Sequence, residues 1–148
     1  MKFIADSMLG RLAKWLRLFG YDTVYFKGKT DSELIYESIK QRRIILTRDA
    51  KISKSKPLKI IFIKSENFKD QIRQAAEELG IKFDGKRRFT RCAECNCELG
   101  VISKEKVKNA VPEYIYDTCS KFSFCPECKK IYWEGSHLKL AAELIKTL

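Results

Sequence analysis

The chain has 148 residues, 45% of them hydrophobic, enough for one ordinary core or for one modest domain beside a metal-stapled module. Lys and Arg number 30 against 19 Asp and Glu, and a formal charge of +11 points to a polyanionic partner, with solubility alone as the plainer explanation. The N-terminus MKFIADSMLG lacks the long apolar run of an export signal, and no segment approaches the roughly 18 apolar residues of a bilayer span. The expectation is a soluble, cytoplasmic protein with no membrane partner.

Lys2 to Ala5 is a short apolar run ending at Asp6, right for a buried strand. Met8, Leu9, Leu12, Trp15, Leu16 and Phe19 then recur at helical spacing, Arg11, Lys14 and Arg17 fall together on the other face, and Gly20 is a natural stop. Val24 to Phe26 reads as a second strand. Thr30 to Glu33 spells a T-x-x-E capping box opening a helix with Leu34, Ile35 and Ile39 inward. Arg43 to Thr47 gives the strand RIILT, closed by Asp49, and Leu58 to Ile63 gives a further strand. Asn67 caps a helix carrying Phe68, Ile72, Ala75, Ala76 and Leu79, ended by Gly80. Apolar strands alternating with amphipathic helices predict an α/β domain, a parallel sheet covered on both faces, over residues 1–81.

Residues 82–91 read as a basic linker, and 92–148 as a second module. Cys92 and Cys95, then Cys125 and Cys128, form two CxxC steps. In a chain without an export signal these are thiolate ligands of one tetrahedral, structural zinc rather than disulfides or a redox pair. Strand-like pieces at Leu99 to Ile102 and Lys130 to Trp133 follow the two steps as in a zinc ribbon, with a short helix near Lys104 to Asn109 and a closing helix over 138–148. Cys97 and Cys119 read as packing residues and His137 as an ordinary hydrogen-bonded histidine. Residues 1–88 hold 21 basic and 11 acidic side chains, whereas 89–148 hold 9 and 8. The basic part is therefore the first domain.

Asp6 and Asp49 follow strands of a parallel sheet, and Asp31 opens a helix at the same edge, where open α/β folds place their sites. Three carboxylates so crowded call for a hard divalent cation such as Mg²⁺ or Mn²⁺, the core of metal-assisted phosphodiester hydrolysis. Each acid also has a simpler explanation: Asp6 as a helix cap, Asp31 and Glu33 as favourable charges in a first turn, Asp49 as a turn residue. Arg11, Lys14, Arg17 and Arg48 are candidate phosphate contacts, or simply a solvated basic face. Lys86, Arg87, Arg88 and Arg91 would extend that track, with Phe89, Tyr132 and Trp133 either stacking on bases or forming the core of a small module.

The segments FIADSMLGRLAKWLRLFGYDT (3–23), TDSELI (30–35) and ILTRD (45–49) resemble the Mut-seven C-terminal RNase family, a PIN-like nuclease domain followed by a zinc ribbon. RCAECN (91–96), VPE (111–113), FCPEC (124–128) and YWEGSH (132–137) are similar to its ribbon pattern. The resemblance implies that Asp6, Asp31 and Asp49 are the acids of a PIN-type Mg or Mn site, with Glu33 a weaker fourth. Ser65 and Glu66 stand where a further ligand is usual. It implies a metal-dependent ribonuclease, with the ribbon docking RNA, a ribosome or another ribonucleoprotein. A non-catalytic RNA or ribosome binder of the same fold is the competing class, and a DNase differs in substrate only.

Overall fold

The computed structural model describes the chain except residues 53–58, 83–85, 136–138, 140–142, 144–145 and 147–148. Leu58, His137 and most of the expected closing helix lie outside the described residues; within that helix Lys139, Glu143 and Lys146 are helical and exposed. No helix among the described residues is long and apolar enough to cross a membrane. Residues group into two compact units, Met1–Arg17 with Tyr21–Lys82, and Leu18–Gly20 with Phe83–Leu148.

The first unit holds four parallel strands, β1 (Lys2–Ala5), β2 (Asp22–Tyr25), β3 (Ile44–Thr47) and β4 (Ile60–Phe62), in the order β2-β1-β3-β4. Phe3, Ile4, Ala5, Ile45 and Leu46 are wholly buried, as near-continuous apolar strands of a two-sided parallel sheet should be. The chain steps outward from β1 to β2 and returns past β1 to β3. The neighbours β1 and β3 thus flank the point where strand order reverses, and there the crevice of an open α/β sheet lies, beyond the carboxyl ends.

A 3-10 turn over Ser7–Leu9, capped by the Asp6 side chain, leads into α1 (Gly10–Leu18). Its tighter winding, about three residues per turn, carries Met8 off the apolar face, and Met8 is 63% exposed rather than inward. Arg17 corrects the expected basic face. It is buried at 7% exposure, and its Nε donates to the Thr23 carbonyl at 2.7 Å, so its stem packs inside and only Arg11 and Lys14 of the three stand exposed.

The helix α2 (Asp31–Gln41) begins with the full capping box: Thr30 Oγ1 accepts from Glu33 N–H, and Glu33 Oε2 accepts from Thr30 and Lys29 N–H. Leu34 and Ser38 face inward, and Leu34 joins Ile4, Ile45 and Ile52 in one cluster. Ile39, expected inward, is 57% exposed. Five residues beyond Leu34 it lies about 140° round the helix, at about 100° per residue. The helix α3 (Phe68–Leu79) is capped by Asn67 and stopped by Gly80 in the left-handed region, burying Ile72, Ala75 and Leu79.

The second unit carries an antiparallel sheet β5-β6-β7, comprising Gly100–Ile102, Phe122–Phe124 and Ile131–Trp133. The expected short helix is a 3-10 turn over Lys104–Val107. A further helix, α4 (Glu113–Thr118), and the strand β6 escaped notice because three to six residues carry too little periodicity. Val107, Val111, Ile115 and Phe122 form the core there. Gly20 is demanded twice: its φ is +85°, and a Cβ would collide with the Arg87 carbonyl oxygen and lie 2.7 Å from Thr90 Oγ1.

Candidate functional site

Asp6, Asp31 and Asp49 line one cavity of about 120 Å³ in the first unit, with Ser7, Gly28, Lys29 and Thr30 on its polar side. A water needs roughly 10–15 Å³ of such space, so a cation and several waters fit. Each acid arrives by a different route. Asp6 follows β1, where its N–H donates to the Leu46 carbonyl at 3.0 Å and continues the β1–β3 pairing by one residue. Asp49 follows β3 by two residues, and Asp31 is the first residue of α2.

Asp6 is almost wholly buried. Its Oδ1 accepts from Met8 N–H at 2.9 Å, while Oδ2 accepts from Thr47 Oγ1 at 2.5 Å and Arg48 N–H at 2.8 Å. It is thus a helix cap and a cavity acid at once. Asp49 Oδ1 accepts from Lys51 N–H at 2.9 Å, and no described residue pairs with the exposed Asp31 side chain. Glu33 is occupied by the capping box. Ser65 donates to Asp70 and caps Asn67, and Glu66 pairs with Arg48; neither lines the cavity.

Thr47 was not singled out in the sequence. Fully buried at the end of β3, its hydroxyl donates to Asp6 and accepts from Asp49 N–H at 2.9 Å, tying two of the three acids together. The signal was the T-x-D spacing itself, in which a strand-end hydroxyl bonds backbone two residues on. Thr47→Val, nearly isosteric, should lower stability by about 1–3 kcal/mol through the orphaned N–H and carboxylate oxygen, with Thr47→Ser recovering most of it. A denaturant midpoint for the valine variant equal to wild type would show that the hydroxyl carries no such role.

The candidate phosphate contacts divide. Arg11 lies exposed over the Phe68 ring at 4.3 Å, and Lys14 is exposed. Arg17 is buried, and the Arg48 guanidinium turns away to the Lys64 carbonyl (3.1 Å) and Glu66 (3.3 Å). Arg91 is likewise committed, donating to the Asn96 carbonyl at 2.7 Å. Lys29, absent from the sequence reading, is the cation that lines the acidic cavity.

The second unit brings Cys92, Cys95, Cys125 and Cys128 together, all four sulfurs within 4.8 Å of one another. Among the described residues no trio of acids is drawn as close. Tetrahedral zinc at about 2.3 Å from each sulfur sets neighbouring sulfurs about 3.8 Å apart, and Cys92 and Cys128 stand at 3.7 Å. The two knuckles repeat one design. Cys95 N–H donates to Cys92 Sγ and Cys128 N–H to Cys125 Sγ, both at 3.3 Å, and the next residue of each, Asn96 or Lys129, takes positive φ. Such a set fits a closed structural zinc.

Two further groups support the cluster. Tyr132 hydroxyl accepts from Ala93 N–H at 3.0 Å and lies 3.1 Å from Cys92 Sγ; against a metal-bound thiolate, the phenol must be the donor. Cys97 Sγ lies 3.1 Å from Cys125 Sγ. Burial and that bond push the Cys97 thiol up to about 11. Burial also opposes ionisation of Cys125, but N–H donation from Cys128 and the Cys97 thiol outweigh it and hold Cys125 down to about 6. Beside a metal-bound Cys125 thiolate the Cys97 thiol would be the donor, a closer tie to the cluster than the packing role expected.

The family model of the Mut7-C RNAse domain matches residues 1–145. The chain belongs to that family. No curated protein and no solved structure matches. Membership in the Mut7-C RNAse family gives the chain a nuclease or RNA-related role, and the match embraces both the acid-lined cavity and the four-cysteine cluster.

Proposed function

We propose that this protein is a metal-dependent ribonuclease that cuts RNA endonucleolytically at the cavity of Asp6, Asp31 and Asp49, with its ribbon docking RNA or a ribonucleoprotein. The observation that carries this reading is the convergence of three acids from separate segments on one cavity beyond the carboxyl ends of β1 and β3. The donor set is hard oxygen, suited to Mg²⁺ or Mn²⁺, which when bound supplies charge to a phosphate oxygen and lowers the pKa of water. Asp6, fixed by three donors, is the rigid ligand; Asp49 and the exposed Asp31 are free to adjust. Lys29 and Arg11 would offset the acids' repulsion of a polyanion.

Purified protein, incubated with linear and circular single-stranded RNA, should cut both in Mg²⁺ or Mn²⁺ and neither in EDTA. Cutting of the linear form alone would make it an exonuclease. Tight RNA binding without cleavage under either ion would leave the non-catalytic binder as the function.

A further inference from the structure

We infer that a second cavity, of about 220 Å³ and built wholly from the second unit, is a pocket for an unpaired nucleobase of single-stranded RNA. The choice of polymer rests on the ribonuclease reading; the pocket itself rests on three observations. Its lining includes Phe89 and Trp133, each part-exposed and packed on one side against the second unit's small cores, beside Arg88, Lys121 and Glu134. Flat aromatic surface with cations beside it suits a stacked base and its phosphate, and it tolerates any base because each has a π-face.

Secondly, Arg88 Nε is buried and has no hydrogen-bond partner among the described residues. A buried N–H donor without an acceptor is rare in native proteins, and it belongs to a residue that lines the cavity, so the Arg88 guanidinium has donor capacity to spare there. Thirdly, Phe89 has φ +55°, a conformation unfavourable for a bulky side chain, and its N–H is held by the Leu18 carbonyl at 3.0 Å. Strain of this kind gathers at ligand clamps. Tyr132 also lines the cavity, but its hydroxyl is bound at the first cysteine knuckle, so it ties the pocket to the metal cluster rather than stacking freely.

The test uses full-length, zinc-loaded protein carrying Asp49→Asn, so that RNA is not consumed, and Trp15→Phe, so that fluorescence reports Trp133. Single-stranded RNA of about eight nucleotides, within the usual site size of about 4–16, should quench Trp133, and the same sequence in a duplex should not. Phe89→Ala and Arg88→Gln should each weaken binding by about tenfold or more, at unchanged zinc content. The exposed Lys121→Glu variant, which threatens folding least, should weaken it too and flatten its salt dependence.

Binding that leaves Trp133 unquenched and unaffected by these changes would refute the pocket, while cleavage by the wild type would keep the ribonuclease reading. Quenching by RNA in a protein that never cuts would keep the pocket and remove the nuclease. Equal competition by a polyglutamate peptide would mark a mere anion surface and overturn the proposal.

Discussion

Asp49→Asn is expected to leave a folded, zinc-loaded protein that binds single-stranded RNA as tightly as the wild type or more so, yet cuts it more than about a hundredfold more slowly. The magnitude follows from losing several kcal/mol of charge stabilisation at about 1.4 kcal/mol per tenfold in rate. Asp49 is the right residue because of what it does not hold. Asp6 satisfies Met8 N–H, Arg48 N–H and the Thr47 hydroxyl, so replacing it disturbs the helix entry and the β3 end together. The Asp49 side chain accepts one bond, from Lys51 N–H, which asparagine Oδ1 can still accept. Removing a negative charge from the cavity also relieves its repulsion of phosphate, so binding should hold or tighten. Single-turnover cleavage and filter binding on one preparation separate the two effects. Loss of binding in proportion to cleavage would make Asp49 a structural residue.

The sheet was legible because its strands are short apolar runs of period-free character, α1 because its apolar residues recur at helical spacing up to Gly20, and α2 and α3 because each begins on a capping residue. The placing of Asp6, Asp31 and Asp49 at one edge followed from parallel topology, which puts all strand ends of one polarity together. What failed did so for local reasons. Arg17 looks solvated in a pattern of letters, but a long aliphatic stem lets it enter the core and reach Thr23. Arg48 sits beside Asp49 in sequence, yet its side chain leaves on the other side of the strand end for Lys64 and Glu66. Thr47 hid in plain view: the T-x-D spacing expresses its bond to Asp49 N–H, but its bond to Asp6 comes from the pairing of β1 with β3, which no local spacing expresses. The small β6 and α4 depend on the cysteine cluster and the core around Val107, so their own residues gave little sign of them.

Stripping zinc should unfold the second unit while the parallel sheet of the first persists. Each strand of β5, β6 and β7 has three residues, and the two clusters that support them are small, one of them built around Cys92 and Cys125 themselves. A module of that size rarely folds on apolar burial alone, and structural zinc typically contributes about 10–16 kcal/mol at pH 7. Without the cation Cys95 and Cys125 differ sharply in how readily they ionise. Cys95 is pushed up to about 12, chiefly by its bond to the Cys128 thiol and by burial. Cys95 is therefore protonated at neutral pH and must release its proton to bind, whereas Cys125, at about 6, meets the metal largely as thiolate. Zinc affinity should accordingly rise with pH through the neutral range and fall toward pH 6, where Cys125 also takes up a proton. Hydrogen exchange after chelation should show amides of β5 to β7 losing protection, with those of β1 and β3 unchanged. Cys125→Ser should do the same without chelator, and Tyr132→Phe should weaken zinc by about 10–100-fold through loss of its bond to Cys92. Simultaneous loss of protection in β1 and β3 would mean that the acidic cavity owes its architecture to the zinc after all.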